Sequence, residues 1–425
     1  MQSENKHKNR SLIAFEHVSR FIPVHIDMCK KKNMEEHLTI YYDVEGLVLR
    51  RGRTFSFIIT FNQEFNTDRY HLSFIFKCHT WMNCSEIKIP LNGTSNDWLA
   101  RRIITENETK NRIHIQISSP CHALIGKYSL LLETCSTEKD HLDKRTLSMF
   151  QFEIDIYFLF DPWQKNDTCS LNSLEQIDEY VMNEHGQIYL GLSEIPRSIP
   201  WYFGQFEGVV LLTALEVLRK IQISAQYSID TLIVLRMLAS KICSERGTNN
   251  GIFPAACEDR PFLCPDNEYT SSPIILKLFH ESDSQSIRRD SGNNWQHVAV
   301  FCSLCRSLGI PCRIVTIYNA TCPFEENMNQ QQQSLMMTTQ KTKNRPWYLW
   351  NECWLHRTDL PQDFSGWQVI NSSFIQCGNP LRRIGPCSVM ALKYGSLDFK
   401  WDTKEIHSML NGNRELISKC ELNFF

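Results

Sequence analysis

The residues around Asn294 lie where a helix is predicted to begin, which is a favourable place for a reactive side chain. Free backbone amides and the helix dipole at such a terminus stabilise negative charge and lower the pKa of a thiol. Here Gly292 leads into Asn293, Asn294 and Trp295, none of which offers a thiol or a hydroxyl. The sequence therefore predicts a helix start suited to a nucleophile but holding a carboxamide.

Other reactive side chains on the same predicted helix are interpreted differently. Cys302 and Cys305 form a C-x-x-C motif two to three turns inside the helix among apolar residues. We interpret the two thiols as buried packing, with metal or redox chemistry as the alternative. His297 lies one turn after Asn294 and could approach the same place, but the sequence predicts no nucleophile for it to serve. His356 is predicted to be a surface residue.

A helix, a turn and a strand must position these residues. Apolar side chains recur at helical spacing through Phe301, and Gly309 and Pro311 then end the helix. Ile314 and Val315 begin an extended run. The pattern predicts a buried helix that turns sharply into a buried strand.

The rest of the second half contains both helical and strand patterns. Helical spacing is found at 173–183, 208–221 and 230–242, and strand patterns at 314–318, 347–354 and 366–370. This order predicts an α+β unit. The polar stretch 321–344, with four consecutive glutamines, is predicted to be an exposed loop.

The first half shows a different pattern. Between 38 and 136, short runs alternate polar and apolar residues and are separated by turn residues, as at 54–59 and 71–76. Such runs predict an antiparallel sandwich. We therefore divide the chain into a flexible polar segment 1–34, a β-sandwich 35–160 and a core unit 161–425.

Composition excludes several classes of function. The chain has 425 residues, 42% of them hydrophobic, and a formal net charge of −2, which gives no electrostatic reason to expect nucleic acid as a partner. No apolar run approaches the ~18 residues of a membrane span. The polar first residues do not resemble a secretory signal, so the 17 cysteines are interpreted as reduced thiols. A cytoplasmic location is expected.

The predicted helix and strand resemble the nucleophile-bearing helix of the animal transglutaminases, which reads roughly Tyr-Gly-Gln-Cys-Trp and leads into Leu-Gly-Ile-Pro. Further blocks resemble this family in the same order, from about residue 35 to about residue 411. They are LRRGRTF at 49–55, ALIGKY at 123–128, DPW at 161–163, EYV at 179–181, GQIY at 186–189, WYFGQFE at 201–207, DLP at 359–361 and GWQV at 366–369. The resemblance implies an immunoglobulin-like sandwich followed by an α+β papain-like core. It also implies a core truncated at its end, with the C-terminal β-barrels absent.

The resemblance identifies three positions for the family's cysteine–histidine–aspartate relay. The cysteine matches Asn294, the histidine matches Tyr348 and the aspartate matches Asn371. A carboxamide is not a useful nucleophile, and a phenol with a pKa near ~10 is a poor base at neutral pH. A second carboxamide cannot offset the charge of an imidazolium. All three positions are predicted to be non-functional.

Two further features of the family are predicted to be lost. The tryptophan that stabilises the oxyanion matches Cys257, at the end of the run GIFPAAC. Calcium needs six to eight oxygen ligands, and the family's Ala-His-Asp becomes the carboxylate-free 321–323. Glu325, Glu326 and Asn327 could bind calcium only weakly. We therefore expect no metal site and no cofactor.

The sequence hypothesis is a transglutaminase-like pseudoenzyme that acts as a scaffold or interaction protein. It resembles the erythrocyte protein band 4.2, a degenerate relative that links an anion exchanger to the membrane skeleton. That resemblance implies protein partners of this kind and a peripheral position at the inner membrane face. Trp295, Trp347 and Trp350 either line a peptide-binding groove or belong to the core.

Two alternatives stay open. One is residual calcium-dependent protein-glutamine gamma-glutamyltransferase activity, transferring an acyl group from glutamine to lysine through an unrecognised thiol. The other is a truncated product without a stable fold. A thiol in contact with an imidazole in the cleft would contradict the pseudoenzyme hypothesis.

Overall fold

The computed structural model of the chain describes residues 21–84, 86–104, 109–138, 141–222, 224–225, 230–244, 250–254, 270–282, 294–320, 345–372, 384–404, 406–407 and 410. The chain forms two compact units. The first comprises Met1–His79 and Asn83–Phe158, and the second comprises Thr80–Met82 and Leu159–Phe425.

In its described residues, the first unit consists of strands and one short helix. Its elements are β1 (Pro23–Asp27), α1 (Lys30–Glu36), β2 (Leu47–Arg50), β3 (Thr54–Phe61), β4 (Tyr70–Cys78), β5 (Ile87–Pro90), β6 (Gly93–Ser95), β7 (Trp98–Ile103), β8 (Arg112–Ser118), β9 (Gly126–Glu138), β10 (His141–Gln151) and β11 (Ile156–Leu159). One sheet has the order β1-β3-β8-β7-β6, and the other has the order β2-β11-β9-β4-β5 with β10 added beside β9.

Aromatic side chains fill the space between the two sheets. Alternate residues of β3 are buried, and Phe57 packs edge-on against Phe74 of β4 with ring centroids 5.5 Å apart. Phe76 of β4 stacks on Trp98 of β7 at 5.0 Å. Such pairs contribute about 0.5–1.5 kcal/mol each beyond simple area burial. The predicted β-sandwich is confirmed.

The sandwich includes part of the segment that the sequence assigned to a flexible N-terminus. Strand β1 pairs with β3, and the side-chain amide of Asn33 in α1 donates to the carbonyls of Met28 and Ser56, both at 2.7 Å. Three consecutive lysines in α1 make this stretch read as surface. The buried amide of Asn33 that attaches this stretch to the sandwich leaves no periodic pattern in the sequence. The sandwich therefore begins before the predicted boundary at residue 35.

The second unit mixes helices and strands. Its elements are α2 (Leu174–Ile177), a π-helical turn (Asp178–Met182), β12 (His185–Leu192), β13 (Ile195–Tyr202), α3 (Gly208–Lys220), α4 (Thr231–Ser240), α5 (Ser272–Glu281), α6 (Asn294–Ser307), β14 (Cys312–Ala320), β15 (Arg345–Leu355), a 3-10 turn (Gln362–Phe364), β16 (Gly366–Ile370), β17 (Cys387–Ser388) and α7 (Val389–Tyr394). The last four strands form an antiparallel sheet in sequence order, and β12 pairs with β13. The predicted α+β arrangement is confirmed.

Helix α6 is the centre of this unit. It packs against α3, α4, α5, β14 and β15, and every residue from His297 to Ser307 is buried. Gly309 adopts a φ of 90°, which lets the amide of Ile310 donate to the carbonyl of Cys305 at 3.0 Å and turns the chain into β14. Within the described part of the chain, no helix combines the length and apolar character that a bilayer crossing requires.

Candidate functional site

The three predicted relay positions lie on α6, β15 and the end of β16. Asn294 is the first residue of α6, Tyr348 lies in β15 opposite Ile317 of β14, and Asn371 directly follows β16. The antiparallel pairing of β15 with β16 places Asn351 opposite Ile370, so Tyr348 and Asn371 come from neighbouring strands. The helix start and both strand positions agree with the sequence prediction.

Tyr348 and Asn371 are joined directly. The Tyr348 hydroxyl donates to Oδ1 of Asn371 at 2.7 Å, and the two residues are only 8% and 2% exposed. The backbone amide of Asn371 donates to the carbonyl of Ile384 at 2.8 Å. The bond therefore joins two buried side chains, neither of which can act as a carboxylate or an imidazole.

Asn351 connects this pair to the central helix. Its Nδ2 donates to the carbonyl of Val298 in α6 at 2.8 Å, and its Oδ1 accepts from the hydroxyl of Ser372 at 2.7 Å. Asn351 and Ser372 are buried. Sequence reasoning considered this block only for the position of the base, and nothing in the motif indicated that Asn351 bridges three segments.

A thiol does touch an imidazole in this unit. Cys243 Sγ lies 3.2 Å from Nδ1 of His297, and the ring of Phe253 packs on the imidazole with centroids 4.6 Å apart. The sequence predicted no nucleophile for His297 to serve, and the structure places the Cys243 thiol beside its ring. The two residues are 54 positions apart, and Cys243 follows the end of α4. No sequence spacing could have paired them.

The thiol–imidazole pair is buried. Cys243 is 8% exposed and His297 is 2% exposed. Burial raises the pKa of the Cys243 thiol, because a thiolate would be poorly solvated there. The arrangement can hold a protonated thiol in a hydrogen bond with the ring, while ion-pair formation is opposed by the lack of solvent.

The tryptophans belong mainly to the core. Trp295 is 3% exposed and packs edge-on against Trp201 with centroids 5.6 Å apart. Trp350 is 4% exposed and packs with Val369 and Leu392. Trp347 is half-buried. The groove-lining interpretation therefore fails for Trp295 and Trp350.

The C-x-x-C thiols are buried, but they do not stand alone. The sulfur atoms of Cys305, Cys312 and Cys353 all lie within 4.8 Å of one another, and no other His, Cys, Asp or Glu cluster in the described residues is this compact. Cys257 and the residues considered for calcium, Glu325, Glu326 and Asn327, lie outside the described residues. So does the predicted loop 321–344.

Family models match both units of the chain. Residues 24–135 match the N-terminal model of the transglutaminase family, and residues 268–372 match the core model of the transglutaminase-like superfamily. The second range contains all three relay positions.

Curated relatives match over most of this chain. Protein-glutamine gamma-glutamyltransferase 5 of Mus musculus is 28% identical over 91% of this chain and 54% of its own length. The coagulation factor XIII A chain of Homo sapiens is 27% identical over 90% of this chain and 52% of its own length. The chain thus spans about half the length of the curated relatives it matches.

A solved structure shares the fold. The crystal structure of red sea bream transglutaminase superposes with a TM-score of 0.75 at 26% sequence identity, covering 92% of this chain and 58% of that one.

Proposed function

This chain belongs to the transglutaminase family, and we propose that it acts there as a non-catalytic interaction protein. The observation that supports the proposal is the hydrogen bond of 2.7 Å between Tyr348 and Asn371. It occupies the two positions that match the family's base and acid. Both partners are neutral side chains, and both are buried.

Acyl transfer from glutamine requires groups that these positions lack. A thiolate must attack the carboxamide, an imidazole must hold the thiol's proton, and a carboxylate must stabilise the imidazolium. Loss of one member of such a relay commonly costs on the order of 10⁴ in rate or more. Asn294, Tyr348 and Asn371 replace all three.

The proposal extends to location and partners through the resemblance to band 4.2. It places the protein in the cytoplasm or at the inner membrane face, bound to proteins of the membrane skeleton or to the cytoplasmic segment of an anion exchanger. A binding titration with such a segment tests this part separately. Saturable binding would support the proposed partner. Absence of binding would exclude this partner, and the non-catalytic role would still be tested by the amine-incorporation assay below.

Amine incorporation into a glutamine-containing acceptor protein is the decisive assay. The purified chain is expected to give background incorporation, with no response to added calcium or to a thiol-alkylating reagent. Incorporation above background that alkylation abolishes would contradict the proposal. The Tyr348→Phe variant serves as a control, because it removes the observed hydrogen bond without adding a reactive group.

The Cys243–His297 contact favours one second candidate, residual acyl transfer. In that reaction the thiol proton would pass to Nδ1 of His297, and the sulfur would form a thioester with the glutamine acyl carbon. The carbon–nitrogen bond would break and release ammonia, after which an amine would take the acyl group. Burial of both residues and the raised pKa of the thiol weigh against it.

Cys243→Ala separates the two candidates. If incorporation is at background in both wild type and variant, the non-catalytic proposal stands. If wild-type incorporation is measurable and Cys243→Ala abolishes it, the second candidate replaces the first. Cys169→Ala, at another fully buried thiol, is the matched control.

A further inference from the structure

Four buried cysteines converge where the C-terminal half of α6 meets the sheet. Cys302 and Cys305 lie one turn apart on one side of α6, Cys312 begins β14, and Cys353 lies opposite Cys312 in β15. All four are 0% exposed. They therefore bring three elements of the second unit to one point.

Three of the four sulfur atoms are close enough to share one ion. Those of Cys305, Cys312 and Cys353 lie within 4.8 Å of one another. The Cys302 thiol is outside this group and donates to the carbonyl of Cys312 at 3.4 Å. Zinc–sulfur bonds of about 2.3 Å in a tetrahedron place sulfurs about 3.8 Å apart. The three sulfurs would therefore need only small shifts, and Cys302 would complete the set by turning away from that carbonyl.

We propose that Cys302, Cys305, Cys312 and Cys353 form a structural zinc site between α6, β14 and β15. The donor set is all sulfur, and zinc is the divalent ion that such closed tetrahedral sites typically hold in proteins. The site lies apart from the relay positions and is independent of the proposed function.

Two neighbouring groups are placed to stabilise thiolates. Arg306 is 3% exposed, and its Nε donates to the carbonyl of Cys312 at 3.0 Å. Nδ2 of Asn351 lies 3.9 Å from Cys312 Sγ. Donors of this kind around the ligands commonly tune metal affinity. Because no ligand reaches solvent, the ion would enter as the chain folds.

Refolding the full chain from denaturant under reducing conditions, with and without zinc, tests the site. We expect about one tightly held zinc per chain after removal of loosely bound metal, and a higher melting temperature in the zinc-refolded sample. Refolding with cobalt should give thiolate-to-metal charge-transfer absorption. A wild-type chain that retains no metal, or that contains a disulfide among the four cysteines, would overturn the proposal.

The double variant Cys305→Ser/Cys353→Ser should lose the bound zinc, whereas Cys387→Ser should keep it. Cys387 is also 0% exposed and lies in the same sheet, but outside the cluster. Equal zinc content in the wild type and the double variant would overturn the site. If the double variant does not fold, the wild-type cobalt spectrum decides: absence of charge-transfer absorption rejects four-thiolate coordination.

Discussion

Two buried pairs in the second unit differ in what each lacks for catalysis. Tyr348 and Asn371 lie at the positions that the sequence resemblance predicts for a catalytic base and acid, but their side chains are a phenol and a carboxamide. Cys243 and His297 have a thiol and an imidazole 3.2 Å apart, but both side chains are buried, and the Phe253 ring packs on the imidazole. The first pair lies at the predicted relay positions but lacks reactive groups. The second pair has the reactive groups but lacks the solvation that would let the thiol ionise.

This difference separates two requirements that a motif search treats as one. A reactive group needs the right side chain, and it needs surroundings in which its charged form is stable. A thiol in contact with an imidazole in the cleft would contradict the sequence hypothesis, and the contact between Cys243 and His297 is of this chemical kind but buried. Burial of the pair is the physical reason for keeping the non-catalytic proposal, and the following variants can break that argument.

Asn351→Ala should have the largest effect on stability. It leaves the Val298 carbonyl and the Ser372 hydroxyl without this buried partner, which we expect to cost about 3 kcal/mol of unfolding free energy. Chemical denaturation measures the loss. The exposed Asn166→Ala should change stability by less than about 0.5 kcal/mol. Equal losses of unfolding free energy in the two variants would show that the hydrogen bonds of Asn351 do not stabilise the region around Tyr348 and Asn371.

Tyr348→Phe should cost about 1–2 kcal/mol, because the buried Oδ1 of Asn371 loses a hydrogen-bond donor. Tyr394→Phe, at a residue 67% exposed, is the control. A double-mutant cycle with Asn371→Ala should give a coupling free energy of about 1 kcal/mol. A coupling near zero would mean that the pair does not stabilise the fold.

Cys243→Ala should cost about 1 kcal/mol, from the lost contact with His297 and a small cavity. Because burial raises the thiol pKa, alkylation of native Cys243 should be slow at about pH 7 and should accelerate only under alkaline conditions. Mass spectrometry can compare it with the half-buried Cys121. Fast labelling of Cys243 at neutral pH would favour the catalytic alternative.

Asp359→Asn should have the smallest effect on stability. It tests an ion pair, Arg357–Asp359, for comparison with the two neutral pairs. Arg357 donates to both Asp359 oxygens at 2.8 and 2.9 Å, and this hydrogen bonding holds the Asp359 pKa below its usual range despite burial. A depressed folded pKa stabilises the fold above the unfolded value near ~3.9, and that contribution is lost as pH falls through the folded pKa. The difference between wild type and variant should therefore shrink in acid, as denaturation at several pH values would show. A difference independent of pH would contradict this assignment.

The sequence was sufficient for most of the elements and for one of the two pairs. Helical spacing and the Gly309 turn predicted α6, and alternation predicted the sandwich strands. The family resemblance selected Tyr348 and Asn371, which the structure brings into contact. These predictions succeed because periodicity and local turn chemistry are written in neighbouring residues.

The remaining features depend on tertiary packing. Cys243 meets His297 across 54 residues, and Cys353 meets the α6 thiols through sheet register. The C-x-x-C motif alone favoured simple packing, because Cys312 and Cys353, which complete the cluster, lie outside the motif on two strands. Strand β1 and helix α1 were missed because their polar sequence is held by the pairing of β1 with β3 and by the buried amide of Asn33, and neither has a periodic signature.

The left-handed turn at Gly309 has a consequence for how this unit folds. It brings α6 and β14 together within one short stretch of chain, so their contacts close only a small loop and cost little entropy. We expect this helix–strand hairpin to form early, with β15 and the more distant helices docking later. A kinetic φ-value of about 0.5–0.8 for Val300→Ala would support that order, and a value near zero would reverse it. Helix α6 would then have a role in starting the folding of this unit that does not depend on catalysis.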